Sequence, residues 1–244
     1  MTIQRDVMEY DVVIVGAGPA GLAAAIHLKQ LATLNAQELS ICLLDKGSEV
    51  GSHIVSGCVM NPRGLDELIP NWRELGFPVT TEVKKDKIVY LTKSKQYKLP
   101  LPSDWSNYGN YIISLSQLCR KLAEYAENLG VEIYPGFAAK SALIEDGVLK
   151  GILTGDMGLA RDGTPSANYQ PGIEIRAKQT ILAEGCRGSV SKQLIEYFKL
   201  NADSQAQTYG LGIKEIWRVD PKKHRLGNVT HTLGYPLDAQ TYSG

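Results

Sequence analysis

Apolar runs, broken by glycine, proline or charge, set out the front of the chain. Residues 11–15 (DVVIV) are an almost unbroken β-branched run, the pattern of a strand buried on both faces. Residues 19–34 follow with helical spacing, and Ala20, Ala24, Leu28 and Leu31 fall on one face. Residues 39–44 (LSICLL) predict a second buried strand, ending in Asp45. Strand, turn, helix and strand thus fill about 35 residues, the size of a βαβ unit.

The pattern then loosens. Gly47 to Gly64 reads as loop, and Asp66 to Leu75 as a short helix. Residues 86–99 alternate through Ile88, Tyr90, Tyr97 and Leu99, predicting a hairpin of exposed strands. Ser114 with Gln117 resembles a capping box, and Leu115, Leu118, Leu122, Ala126 and Leu129 make a helical stripe. Gly130 suits the helix stop, and VEIY (131–134) predicts a strand. Asp146-Gly147 and Asp162-Gly163 are hairpin signals. Further strands are expected at 173–177 and 180–183, then a helix from Val190 to Phe198 and a mixed strand-and-turn ending.

Composition narrows the class. Twenty-six Lys and Arg balance 26 Asp and Glu, which argues against non-specific nucleic-acid binding. Hydrophobic residues at 43% are enough for a core and argue against disorder. Cys42, Cys58, Cys119 and Cys186 are too widely spaced for the usual zinc or iron–sulfur pairs, so no metal site is assigned and reduced thiols are expected. The apolar stretch Val12–Leu28 resembles a signal peptide or a membrane span, but Gly16, Gly18, Pro19 and Gly21 break it.

Those same glycines carry the chemistry. Gly16-Ala17-Gly18-Pro19-Ala20-Gly21 is a GxGxxG placed after a buried strand and opening a helix. Gly16 permits the sharp turn, Gly18 lets the backbone approach a pyrophosphate, and Gly21 lets helix and strand pack closely. The helix N-terminus offers free N–H groups and a positive dipole. Asp45, 24 residues after Gly21, is placed to accept hydrogen bonds from ribose hydroxyls. The spacing predicts dinucleotide binding; a Gly-rich turn without ligand is the alternative. Two hairpins between the third helix and strand 180–183 favour FAD over NAD, because they read as a β-meander inserted into a Rossmann core. Ala183-Glu184-Gly185 resembles the return-strand motif of such flavoproteins.

The runs YDVVIVGAGPAGLAAAIHLKQL, LLDKGSEVGSHIVSGCVMNP, LGVEIYPGFAA, AEGCRGSVSKQL, QTYGLGIKEIW and HTLGYPLDAQTYSG together resemble the electron transfer flavoprotein–ubiquinone oxidoreductases. The resemblance covers residues 9 to 244. It implies an FAD enzyme passing electrons from reduced electron transfer flavoprotein to ubiquinone, at the inner-membrane surface as a monotopic protein without a transmembrane helix. It implies that Val15, Gly16, Ala17, Gly18, Pro19, Ala20 and Gly21 hold the FAD pyrophosphate, with Asp45 and Lys46 toward the adenosine ribose. The loop from Gly51 through Ser56 to Gly57 would run toward the flavin, with Glu184 and Gly185 at the adenine side. Membrane contact would fall on Ile54, Val55, Val59, Met60, Leu65, Leu68, Ile69 and Trp72, for which a core helix plus flavin loop is the alternative.

The family's [4Fe–4S] cluster belongs to the intact parent, since no ligand set for it is recognised here. The chain therefore reads as the front part of a longer protein. The competing readings are an inactive FAD-domain fragment and a geranylgeranyl reductase-like enzyme. The expected fold class is α/β. A Rossmann-like FAD-binding domain with its inserted meander takes 1–75 and 110–203. Part of a second, mostly antiparallel α+β domain takes 76–109 and 204–244. No residue is assigned a catalytic role. His27 reads as structural, His53 as a loop residue near the cofactor, and Cys58 as a packing thiol. His224 and His231 are too far apart to suggest a metal site, and Lys84, Lys85 and Lys87 around Asp86 read as a solvated turn.

Overall fold

The structure, a computed structural model, describes residues 5–54 and 57–237. The chain divides into two compact units, Met1–Ile54 with Cys119–Gly212, and Val55–Leu118 with Ile213–Gly244. In chain order the elements are β1 (Val7–Val15), α1 (Pro19–Leu34), β2 (Ile41–Asp45), β3 (Cys58–Met60) and α2 (Arg63–Leu68). There follow β4 (Thr81–Glu82), β5 (Lys85–Leu91), β6 (Gln96–Leu99), β7 (Tyr111–Ile113) and α3 (Leu115–Asn128). The remainder is β8 (Glu132–Pro135), β9 (Ala139–Glu145), β10 (Val148–Thr154), β11 (Met157–Leu159), β12 (Pro165–Gln170), β13 (Glu174–Leu182), α4 (Ser189–Phe198) and β14 (Asn228–Gly234).

The first unit is built on a six-stranded sheet in the order β8-β2-β1-β13-β10-β9. The first four strands are mutually parallel, and β10 and β9 add antiparallel. This is the Rossmann-like arrangement, with β1 central and the chain leaving it toward β2 while β13 returns on its other side. Val13, Val15, Cys42, Leu44, Ile152 and Ile175 form a buried cluster with Val190 and Leu194 of α4. The expected hairpin at Asp146-Gly147 joins β9 to β10, both turn residues having positive φ as the tight two-residue turn demands. The second hairpin, β11–β12, stands as a separate two-stranded sheet.

Three readings need correction here. In α1 the buried residues are Gly21, Leu22, Ala25, Ile26 and Ala32, while Ala20 and Leu31 are exposed. The helix is apolar nearly all round, so spacing alone leaves its orientation open. Segments 173–177 and 180–183 are one strand, β13, because its parallel pairing with β1 runs on through Ala177, Gln179 and Thr180, while Lys178 reaches Asp11 at 2.6 Å. The helix expected over 66–75 is α2, which ends before Ile69 (φ −138°, ψ 81°). Pro70 follows, and a residue before proline is pushed out of the helical region.

The second unit holds two three-stranded sheets, β14-β5-β6 and β3-β7-β4. Residues 55–75 and 110–118, read from sequence with the first domain, fall in this unit. The cause is the pairing of β3 with β7 and of β7 with β4. Segment 204–212 falls instead with the first unit. The β5–β6 hairpin is present, but its strands are not simply exposed: Ile88 and Val89 are buried, and so is Asp86.

Candidate functional site

The site is assembled where β1 ends. Gly16 takes φ +109°, a conformation that side chains disfavour, and its N–H donates to Leu44 O of β2 at 2.8 Å. A Cβ there would lie 2.4 Å from Ala183 O. At Gly21 a Cβ would sit 1.9 Å from Gly16 O and 3.2 Å from the Ala183 methyl. These two glycines are therefore demanded by packing between β1, α1 and the end of β13. Gly18 differs: its φ is ordinary at −81°, and an added Cβ would meet no protein atom within 4 Å.

Gly18 also precedes Pro19 at the N-terminus of α1, where no side chain caps the helix and no acidic residue lies in the first turn. Free N–H groups and an uncompensated positive helix end face the side on which Gly18 leaves room. This cradle fits a pyrophosphate. Asp45, at the end of β2, accepts from Ala17 N at 2.9 Å through one oxygen and from Gly47 N at 2.7 Å through the other. An ionised carboxylate has about four acceptor positions, so capacity remains for a ribose hydroxyl. Lys46 beside it is exposed.

After Asp45 the loop is held by neighbours that sequence spacing does not reveal. A Cβ added at Gly47 would lie 2.5 Å from Ser52 Oγ, and the Gly47 carbonyl accepts from Gly136 N at 2.6 Å. Arg120 of α3 donates to Val50 O at 3.3 Å and pairs with Glu49 at 2.9 Å. Gly51 takes φ +86°, and Gly57, in the second unit, φ +89°. His53 is exposed. Val55 and Ser56, expected at the membrane and the flavin respectively, lie outside the described residues. In the second unit Lys214 donates to Gly57 O at 3.3 Å. Burial pushes the Cys58 thiol upward and nearby Lys214 opposes this, which favours the packing role read from sequence over a thiolate.

Ala183 packs on Gly16 and Gly21, so the return strand does meet the dinucleotide turn. The Glu184 side chain is engaged within the protein. Its carboxylate accepts from Ser189 N (2.9 Å), Val190 N (3.2 Å) and Ser191 N (2.7 Å), and from Ser191 Oγ (2.7 Å). It caps α4, with no acceptor position left over for adenosine, and Gly188 is needed because a Cβ there would press on the carboxylate. Gly185, at φ +79°, turns the chain with open space beside it.

The expected membrane residues scatter. Leu65, Ile69 and Trp72 are buried; Trp72 is 2% exposed, donates to Asp66 at 2.8 Å and meets Tyr111 edge-on. They are core of the second unit, because the residues α2 turns outward are Arg63, Gly64 and Glu67. Ile54, Met60 and Leu68 are half-buried, and Val59 is exposed. No described helix is long and apolar enough to cross a membrane. Among the described residues no three His, Cys, Asp or Glu groups converge on a metal position.

A second polar constellation was missed. The Asp86 side chain is fully buried and accepts from Asn107 N (2.8 Å) and Asn107 Nδ2 (2.9 Å) through Oδ2. Its Oδ1 lies 3.2 Å from His231 Nε2, outside hydrogen-bond geometry, and has no donor. Trp105 lies against the imidazole, ring centres 5.9 Å apart.

Residues 10–108 match the pyridine nucleotide-disulphide oxidoreductase family, and residues 209–244 the family described as ETF-QO, ubiquinone-binding. The chain is 56% identical to electron transfer flavoprotein-ubiquinone oxidoreductase of Pseudomonas aeruginosa, over 99% of this chain and 45% of that protein. It is 54% identical to the mitochondrial protein of that name from rice, over 98% and 42%. The bovine mitochondrial counterpart is 47% identical over 100% and 40%. The chain belongs to the electron transfer flavoprotein-ubiquinone oxidoreductase family. It spans less than half the length of these relatives. Solved structures with the same fold include a geranylgeranyl bacteriochlorophyll reductase-like protein from Thermoplasma acidophilum. That likeness has a TM-score of 0.59 at 18% identity, over 94% of this chain and 51% of the other. A flavin-dependent monooxygenase gives 0.53 at 20%, over 77% and 32%.

Proposed function

We propose that this chain binds FAD and serves an oxidoreductase that takes electrons from reduced electron transfer flavoprotein and passes them to ubiquinone. The observation that carries the reading is the uncapped start of α1 beside Gly18, where the backbone leaves room and free N–H groups face it. Gly16 and Gly21 hold that turn in place, the α1 N-terminus holds the pyrophosphate, and Asp45 orients the ribose while tying Ala17 and Gly47. Arg120 steadies the loop that runs toward the flavin. FAD supplies the redox chemistry when bound; the protein positions it and limits its access to water. Membership of the family supports both partners, and the match of residues 209–244 to a ubiquinone-binding family supports quinone as acceptor. Association with a membrane surface belongs to this reading, because ubiquinone is a lipid-soluble acceptor. An iron–sulfur cluster has no fitting ligand set among the described residues, and no step is assigned to one.

The test is a visible spectrum of the purified protein before and after incubation with FAD and gel filtration. Retained flavin absorbance that bleaches on adding reduced electron transfer flavoprotein is expected. A colourless protein after FAD incubation overturns the reading for this chain.

A further inference from the structure

We propose that a hollow on the lysine face of the sheet β14-β5-β6 binds a phosphate group. The proposal concerns the second unit alone and does not depend on the quinone reading. Strand alternation builds the hollow. Lys85, Lys87 and Val89 of β5 share one face, and Val89 pairs with Lys98 and Leu91 with Gln96 of β6. Lys85, Lys87, Val89, Gln96, Lys98 and Tyr108 line a cavity of about 390 Å³. Lys85, Gln96, Lys98 and Tyr108 are exposed, Lys87 is half-buried and Val89 is buried. Asp86 also borders the cavity, but its side chain is fully buried and accepts from Asn107 N and Nδ2.

Three ammonium groups around one hollow repel one another unless an anion lies between them. Among the described residues no carboxylate pairs with Lys85, Lys87 or Lys98. The surroundings carry the same sign. Residues 84–98 hold six lysines and one acidic residue, the buried Asp86, in a chain of zero net charge. Lys84 N and Lys85 N both donate to Gly227 O, at 2.8 and 3.1 Å, which brings the turn with Lys222, Lys223 and Arg225 to that end of β5. Asp104, in the loop that carries Tyr108, does not line the hollow. Lysine is a compact charge with three donors, without the planar fork by which arginine takes a carboxylate. A phosphate ester presents several strong acceptor oxygens and up to about two negative charges, so it can meet several ammonium groups at once. The Tyr108 hydroxyl and the Gln96 amide add neutral donors. An anionic phospholipid headgroup and a soluble phosphate ester share this chemistry.

The experiment compares wild type, Lys87→Gln, Lys98→Gln and Lys150→Gln, with folding checked by circular dichroism. Lys150 is an exposed lysine of β10 in the first unit and serves as the control. Binding is measured by co-sedimentation with phosphatidylcholine vesicles, with and without phosphatidylglycerol, and by calorimetric titration with glycerol 1-phosphate. Lys87→Gln and Lys98→Gln should each weaken binding about fivefold, the worth of one lysine at an anionic surface. Lys150→Gln should leave it unchanged. Lys98 is exposed, so its variant carries the test even where Lys87→Gln unfolds. Binding to phosphatidylglycerol vesicles, with no heat from glycerol 1-phosphate, assigns the site to a lipid headgroup. Titration by glycerol 1-phosphate with the same lysine dependence assigns it to a soluble ester. No binding of either probe overturns the proposal. Equal weakening by Lys150→Gln also overturns it, since that marks attraction by overall charge. Tighter binding of poly-glutamate than of both phosphate probes overturns it in favour of an acidic protein surface.

Discussion

Three glycines in one motif do different jobs, and single substitutions should separate them. Gly21→Ala places a methyl 1.9 Å from Gly16 O, so backbone must shift. The expected outcome is a misfolded or strongly destabilised first unit, read by circular dichroism and melting. Gly18→Ala meets nothing, at a φ that alanine tolerates. It should melt within about 0.5 kcal/mol of wild type, as surface substitutions do, yet lose at least tenfold in FAD affinity by fluorescence titration. Equal damage from both would mean that Gly18 is structural and the cradle is misassigned. Asp156 offers a pH test. Its hydrogen bond from Arg5, then that from Gly172 N, holds its carboxyl well below the usual range. Stability from this group is complete above the unfolded carboxylate pKa of about 3.9 and is lost as pH falls below it. Asp156→Asn should therefore melt lower at pH 7, with the gap to wild type narrowing below pH 4.

At the scale of elements, α4 depends on a residue outside it. Glu184 closes four hydrogen bonds onto the first turn and Ser191, a cap made from the preceding strand end. Glu184→Ala should cost about 1–3 kcal/mol, the range for a lost cap with charged hydrogen bonds, measured by urea unfolding. FAD affinity should change far less, because the carboxylate is spent on the helix. A large loss of FAD with unchanged stability would restore Glu184 to the adenine side. The β5–β6 hairpin carries the opposite lesson. Its lysine-rich sequence suggests a solvated turn, yet the strand turns Asp86 inward, since alternation along β5 puts that one carboxylate on the covered face.

For the whole molecule, the two units answer different questions. Of the expected membrane residues, Leu65, Ile69 and Trp72 are interior to the second unit. Trp72→Ala should destabilise that unit by about 3–5 kcal/mol, as large-to-small core substitutions do, seen as an early transition in thermal unfolding. Liposome binding at a temperature where the variant is folded should match wild type. Reduced binding by the folded variant would return Trp72 to an interfacial role.

How much was legible divides along physical lines. The Rossmann-like core, the dinucleotide turn, the stripe of α3 and the Asp-Gly hairpin between β9 and β10 were readable in the sequence. Each is written in local spacing, where a 2- or 3.6-residue period or an obligatory positive φ leaves its mark. Asp45 was legible for the same reason, as the end of a strand at a known distance from the turn. Long-range placement was not. The buried face of an all-apolar helix, the assignment of β3 and β7 to the second unit and the capping by Glu184 depend on which surfaces meet. The meeting of Asp86 with His231, 145 residues apart in the chain, is of that kind too. No local pattern encodes it, because the energy that brings the two together belongs to the whole sheet β14-β5-β6, not to either segment alone.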